Sequence, residues 1–253
     1  MNTNAMTKNI GREAARRRLI LALGRGKSGK TLWSRWLVET MRARGVSPVA
    51  ADADWSTPGL SRHDEDAVRL GSEPQAHRSW WKKVLVNAVG LVGRPVVVDF
   101  SLDAGLVRNV DPEGTNFAER YAARGFDVTK VFFFAPDVGD VATFINIGAA
   151  VTAASTLLVL NDGAIGSRRS DRFDAVLAHP AVREAIGKGA SVVRMPELRV
   201  DQERVSEIVN FTAFAEGEGG EAKPVSFDRH AVRTWLGRME EAFAPFGAEL
   251  ALG

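Results

Sequence analysis

Residues 24–31 read Gly24-Arg25-Gly26-Lys27-Ser28-Gly29-Lys30-Thr31: three glycines, three basic side chains and two hydroxyls in eight positions. Such a segment suits a phosphate ester. Its glycines let successive backbone N–H groups converge on phosphate oxygens, and a following helix adds the partial positive charge of its N-terminus. In the pattern G-x-x-x-x-G-K-[ST] the lysine reaches the terminal phosphates and the next hydroxyl ligates magnesium, which assigns those roles to Lys30 and Thr31. The pattern has meaning only between a strand and a helix. An apolar run at 18–23 (RLILAL) precedes it and a helical pattern at 31–44 follows it. A glycine-rich turn with solvated lysines is the plainer reading of the same residues.

Phosphate chemistry with a divalent cation also needs carboxylates. Asp99 ends the run 95–100 (PVVVDF), where an aspartate would face the phosphate end of a sheet, as the second acidic motif of P-loop enzymes does; a capping aspartate after a buried strand is the alternative. Asp52 and Asp54 lie in AADAD, after the strand that follows the loop's helix. In an extended chain, alternation would put both on one face, near one magnesium shell or one attacking water, although a polar exit from the strand would look the same.

The elements that must position these residues are legible in the apolar spacing. Strands are predicted at 18–23, 48–51, 95–100, 128–135, 156–160 and 191–195, several of them apolar on both faces. Helical patterns lie at 31–44, 80–91, 116–124, 138–150 and 172–188, with a last helix at 227–244. Alternating strand and helix predicts an α/β fold, a three-layer α/β/α sandwich around a mostly parallel sheet. With no internal repeat, 1–253 is taken as one domain, with a basic tail at 1–17 and a glycine-rich, charged, flexible loop at 216–226 before the last helix.

Composition narrows the function classes. At 45% hydrophobic and 25% charged, the 253 residues have the makeup of a globular protein with a substantial core. The formal charge of +2 forces no nucleic-acid partner, so DNA binding would have to come from a local patch. No cysteine is present, which excludes disulfides, zinc–thiolate sites and thiol catalysis. Neither a signal peptide nor a run near the roughly 18 apolar residues of a membrane span is visible, and a cytoplasmic location is expected. The four histidines are scattered without metal or triad spacing.

The loop GRGKSGKT, the DAD pair and the VVVDF strand resemble the ParA/MinD family of deviant Walker ATPases, including relatives encoded beside plasmid partition and conjugal-transfer genes. The likeness covers most of the chain in order and spacing. It implies a P-loop ATPase that uses ATP and Mg2+ and dimerises when nucleotide binds. By this resemblance Gly24 to Thr31 cradle the phosphates, Asp54 orients the attacking water, and Asp52 and Asp99 form the outer magnesium shell with Thr31 as direct ligand. Family members carry G-K-G-G-x-G-K-T, whose second-position lysine crosses the dimer interface to the partner's nucleotide; here Arg25 stands in its place and Lys27 replaces the fourth-position glycine. A guanidinium stays ionised and offers parallel donors, so Arg25 could keep that contact with altered reach, and a solvated arginine is the alternative. The family's switch D-x-P-x-G corresponds to the longer, proline-free 99–105 (DFSLDAG).

The base follows from the same comparison. Guanine-specific P-loop proteins use N-K-x-D, whereas 161–164 read NDGA and Ala164 offers no acceptor. Asn161 resembles the family's adenine-contacting asparagine, or else caps a turn, and Pro196 and Glu197 fall where the family closes a loop over the base. ATP is therefore expected over GTP.

Several conspicuous residues have two readings. Trp80 and Trp81, followed by Lys82 and Lys83, suit a DNA-contacting surface or a core helix, and Trp33 and Trp36 suit core or interface. The stripe Val232, Trp235, Leu236, Met239 and Phe243 suits core packing better than membrane targeting. Two function classes follow. One is an ATP-dependent dimeric switch whose states differ in affinity for DNA or a partner protein. The other is a small-molecule or nucleotide kinase in which Arg168, Arg169 and Arg172 form a lid over the phosphates.

Overall fold

Strand β1 (Arg17–Gly24) is buried along most of its length, because its residues alternate between two apolar layers. The computed structural model describes residues 17–55, 57–73, 76–89, 94–100, 116–164, 172–218 and 226–252. Residues 1–16 of the basic tail, the switch-like residues after Phe100, most of the glycine-rich loop, Arg168 and Arg169 lie outside the described residues.

Among the described residues, the other strands and α-helices are α1 (Lys30–Ala43), β2 (Val49–Asp52), β3 (Val68–Arg69), α2 (Ala76–Val89), β4 (Val96–Asp99), α3 (Phe117–Ala122), β5 (Phe126–Phe134), α4 (Gly139–Ala150), β6 (Ser155–Asn161), α5 (Asp174–Ala178), α6 (Pro180–Gly187), β7 (Ser191–Met195), α7 (Gln202–Glu207), α8 (Phe211–Glu216) and α9 (Ser226–Phe243). Among the described residues, all seven strands are parallel in one sheet of order β3-β2-β4-β1-β5-β6-β7. The chain moves to one side of β1 for β2 to β4 and to the other for β5 to β7. The sheet's switch point therefore lies at the carboxyl end of β1, where open α/β sheets bind ligands.

Apolar layers cover both faces. Leu19, Leu21 and Leu23 face a core shared with Trp80, Trp81 and Val84 of α2, Phe117 of α3 and Phe144 of α4. Ile20 and Ala22 face the opposite core, built from Trp33, Leu37 and Met41 of α1, Phe211 of α8 and Trp235 and Phe243 of α9. The three-layer α/β/α arrangement expected from the alternation of elements is the one observed.

Both tryptophan pairs are core. Trp33 packs edge-on against Phe133 with centroids 5.4 Å apart, and the Trp80 indole N–H donates to the Val68 carbonyl at 2.8 Å. In α9, Val232, Trp235, Met239 and Phe243 are buried, which explains the stripe as packing. No helix among the described residues is long and apolar enough to cross a membrane.

Three local expectations need correction. The helix expected at 172–188 is two helices, because the residue before a proline is pushed out of the helical region: His179 adopts φ −64° and ψ 133°, and its side chain accepts from the Ala181 N–H at the start of α6. Helix α2 begins four residues before Trp80, at Ala76. The strand β3 and the helices α7 and α8 were not anticipated. Two residues of β3 give no alternation to read, whereas α8 had signals, an Asn210 N-cap and a left-handed Gly217 after its end.

Candidate phosphate-binding site

The loop at the end of β1 is shaped by backbone that tolerates little else. Gly24 has φ 139°, and a Cβ there would lie 2.7 Å from the Phe133 carbonyl oxygen of neighbouring β5. Gly29 has φ 98°, and a Cβ there would lie 2.3 Å from the Asn161 side-chain nitrogen. Lys27 adopts φ 61°, so this lysine occupies a left-handed conformation at the position where the resembled pattern carries glycine. Gly26 and Lys27 are exposed, whereas the Ser28 hydroxyl is buried without a hydrogen-bond partner.

Helix α1 starts directly from this loop. Its N-cap, Gly29, offers no side-chain cap, and no acidic residue occupies the first turn. The first N–H groups and the positive end of the helix dipole therefore face the loop without a built-in anion, the condition for binding one. Lys30 is only 8% exposed, and its ammonium donates to the Arg25 carbonyl at 2.8 Å. Burial lowers its pKa, and the carboxylates of Asp99, Asp54 and Asp140 act in the opposite sense.

The acidic residues gather opposite. Asp52 and Asp99 are register partners at the ends of adjoining β2 and β4, and Ala22 of β1 pairs with Asp99 on its other side. The Thr31 hydroxyl donates to Asp99 Oδ2 at 2.6 Å, while the buried Oδ1 has no partner. Burial pushes the Asp99 carboxyl up to about 7, with Asp52 and Asp54 adding to the rise and Lys30 and Thr31 opposing it. An orphaned carboxylate oxygen beside a threonine hydroxyl is a fitting donor set for the hydrated magnesium that accompanies a nucleotide. Among the described residues no group of three or more acidic or histidine side chains could cage a metal alone, so such a cation would also draw on phosphate oxygens.

Asp52 and Asp54 are arranged differently from a straight strand. The strand ends at Asp52, which is fully buried and accepts from the Asp54 N–H at 3.0 Å and the Ser61 N–H at 2.8 Å, thereby shaping the loop that carries Asp54. Asp54 accepts from the Thr57 N–H at 2.8 Å and lies close enough to influence Lys30 and Asp99. The same loop brings Gly59 against Thr31: a Cβ on Gly59 would be 2.7 Å from the threonine methyl. Gly59 was missed in the sequence, although a Pro-Gly step after an acidic pair marks a tight turn.

Asn161 lies beneath the phosphate loop. Its side-chain nitrogen donates to the Ser28 carbonyl at 2.8 Å and its oxygen accepts from the Gly163 N–H at 2.9 Å, so the side chain braces loop and turn together. Glu197 lies over Gly163, where an added Cβ would be 3.4 Å from Glu197 Cα, and the Trp235 indole holds the Pro196 carbonyl at 3.1 Å. Asn161, Pro196 and Glu197 thus meet on the β6–β7 side of the loop. Arg172 is bound to Asp162 at 2.5 Å, beside Arg194 at 3.1 Å.

Arg25 has partners that the sequence did not announce. Its Nη1 donates to Asp137 at 2.8 Å and to Asp140 at 3.1 Å, at the start of α4. These carboxylates raise the Arg25 pKa, with the Asp137 hydrogen bond the largest cause. Asp137 is held low first by the Gly139 N–H and then by Arg25, whereas burial moves Asp140 up. Residues 137 and 140 follow β5, so only the pairing of β5 with β1 brings them to the loop.

A parallel sheet between two helical layers, with a Gly-x-x-x-x-Gly-Lys-Thr loop joining its central strand to a helix and an aspartate on the adjoining strand, defines a P-loop NTPase fold. No family model and no curated protein matches the chain. Among solved structures it is similar to chloroplast FtsY from Physcomitrella patens, 13% identical over 71% of this chain and 58% of that one, with a TM-score of 0.48. It is also similar to a nucleotide-binding protein in complex with ADP from Archaeoglobus fulgidus, 13% identical over 76% of this chain and 86% of that one, with a TM-score of 0.41. A third is the signal recognition particle 54 kDa protein from Aeropyrum pernix K1 in complex with GDP, 17% identical over 90% of this chain and 49% of that one, with a TM-score of 0.43. The chain thus spans little more than half of the FtsY chain. All three scores lie below one half, and the class rests on this chain's own sheet and loop.

Proposed function

We propose that the protein is a magnesium-dependent ATP-binding and ATP-hydrolysing switch that dimerises on ATP and acts in plasmid or DNA partition, conjugal transfer or the positioning of another cargo. The observation that carries the reading is the uncapped start of α1 beside Lys30, Thr31 and Asp99 at the carboxyl end of the central strand. Thr31 would ligate magnesium directly and Asp99 would hold its water shell; the cation neutralises developing phosphate charge. Lys30 exchanges the Arg25 carbonyl for phosphate oxygens. Asp54 orients the attacking water, and Asp52 holds the loop that presents Asp54. ATP is favoured over GTP because Ala164 supplies no carboxylate to a guanine edge. Arg25 supplies positive charge to the nucleotide of a second copy. The particular cargo, whether DNA or a DNA-bound adaptor protein, is inferred from the family resemblance alone.

The experiment measures mass in solution and ADP release, with and without magnesium–ATP, for the wild type and for Lys30→Ala. ATP-dependent doubling of mass together with slow turnover, both lost in Lys30→Ala, is the expected result. A constant mass with ADP release that appears only on adding a phosphate acceptor would replace the switch with a kinase.

A further inference from the structure

Arg25 is engaged at both ends. Its carbonyl accepts the Lys30 ammonium at 2.8 Å, and its guanidinium reaches across the β1–β5 junction to Asp137 and Asp140. The seat is built for it. Asp140 is buried and anchored by accepting the Ala135 N–H at 2.7 Å, and Asp137 is oriented by accepting the Gly139 N–H at 2.8 Å. The glycine at 139 leaves the guanidinium its room, since a Cβ there would stand 3.1 Å from Arg25 Nη1. The side chain that the proposed switch would extend to a second copy is thus held within its own subunit.

We propose that Asp137 and Asp140 form a latch that keeps the Arg25 guanidinium against the start of α4 until phosphate draws Lys30 away from the Arg25 carbonyl. This rests on reading the loop as a nucleotide site. A charged phosphate oxygen is a stronger acceptor for the Lys30 ammonium than a neutral carbonyl, so phosphate binding draws Lys30 toward the ligand, leaves the Arg25 carbonyl with the longer Ser28 N–H contact at 3.4 Å, and lets its peptide turn. The two events are then linked, and linkage is reciprocal: if phosphate loosens the latch, loosening the latch must tighten phosphate binding by the same factor. The gain is limited by the strength of a half-exposed ion pair, which corresponds to about two- to fivefold. Once released, Arg25 is free to enter a composite site with a second copy, and α4 loses the contact that ties its N-terminus to the loop.

The test is calorimetry of magnesium–ATP binding at low salt and at protein concentrations where the chain is monomeric, for the wild type, Asp137→Asn, Arg25→Ala and the double variant. Asparagine at 137 keeps an oxygen for the Gly139 N–H, so the start of α4 should persist. Asp137→Asn should bind about two- to fivefold more tightly than the wild type, and the gain should vanish in the Arg25→Ala background. An equal gain in both backgrounds would show that removing a negative charge near the nucleotide is the whole effect, and would overturn the latch. Unchanged or weaker binding by Asp137→Asn, with normal binding by the wild type, also overturns the latch while leaving the nucleotide reading intact. A wild-type protein that binds no nucleotide overturns both.

Discussion

Replacing Gly29 by alanine tests whether the phosphate loop and its Asn161 brace are one mechanical unit. An alanine at φ 98° carries left-handed backbone strain of about 1–2 kcal/mol. Its Cβ would lie 2.3 Å from the Asn161 nitrogen, which cannot stay where it donates to the Ser28 carbonyl. Losing that buried bond leaves a carbonyl unpaired, at about 1–3 kcal/mol. The sum, roughly 2–5 kcal/mol, corresponds to a fall in melting temperature of roughly 10 °C for a chain of this size. Because the displaced loop carries the N–H groups that face phosphate, magnesium–ATP affinity should fall about tenfold or more. Thermal melts and calorimetry on Gly29→Ala, Asn161→Ala and the double variant provide the assay. The Asn161 hydrogen bond can be lost only once, so the double variant should be more stable than the sum of the single losses by about 1–3 kcal/mol. Additive losses, or a Gly29→Ala protein that melts and binds as the wild type does, would refute the reasoning.

Two further outcomes follow from the site and its surroundings. Asp54→Ala should retain ATP but lose turnover, so that ATP-bound protein accumulates; quenched-flow measurement of bound ATP and released ADP checks this, and equal loss of binding and turnover would make Asp54 structural. Burial raises the Glu39 carboxyl from 4.5 to about 7, against the Phe211 N–H bond and the charge of Arg35. The folded protein therefore binds this proton more tightly than the unfolded chain. The penalty is absent below about pH 4.5, grows as pH rises toward 7 and is complete above it. Such a displacement has an upper bound of roughly 3 kcal/mol, and partial exposure reduces it to about 1–2 kcal/mol. Glutamine at 39 keeps an oxygen for Phe211, so Glu39→Gln should be more stable than the wild type at pH 8 by about that amount and equal to it near pH 4.5 in denaturant melts. His63, which burial lowers to about 4, responds in the opposite sense, but both proteins share it and its effect cancels in the difference.

The loop and the strands around it were legible because both are local. RLILAL and PVVVDF are apolar on both faces, as strands between two helical layers must be, and the spacing of Gly24, Gly29, Lys30 and Thr31 is set by residues in direct succession. Local sequence also placed Asp99 at a strand end, and tertiary structure then supplied its neighbours, since the order β2-β4-β1 is what puts it between Asp52 and Ala22. The turn chemistry at Asp52 was less visible. Alternation describes an extended chain, and the carboxylate ends the strand by accepting the Asp54 N–H. Asn161 looked like a reader of the base or a cap, yet its side chain spans from its own turn to a loop more than a hundred residues earlier. Arg25 is the clearest case. Sequence showed that a long cation occupied the second position of the loop, and nothing in its neighbourhood named a partner. Asp137 and Asp140 reach it because β5 lies in register beside β1, with Phe133 opposite Gly24. Periodicity determines which residues form a strand and which face they bury, but the order in which parallel strands assemble depends on the packing of whole layers. Contacts between the ends of neighbouring strands are therefore decided only when the sheet is complete.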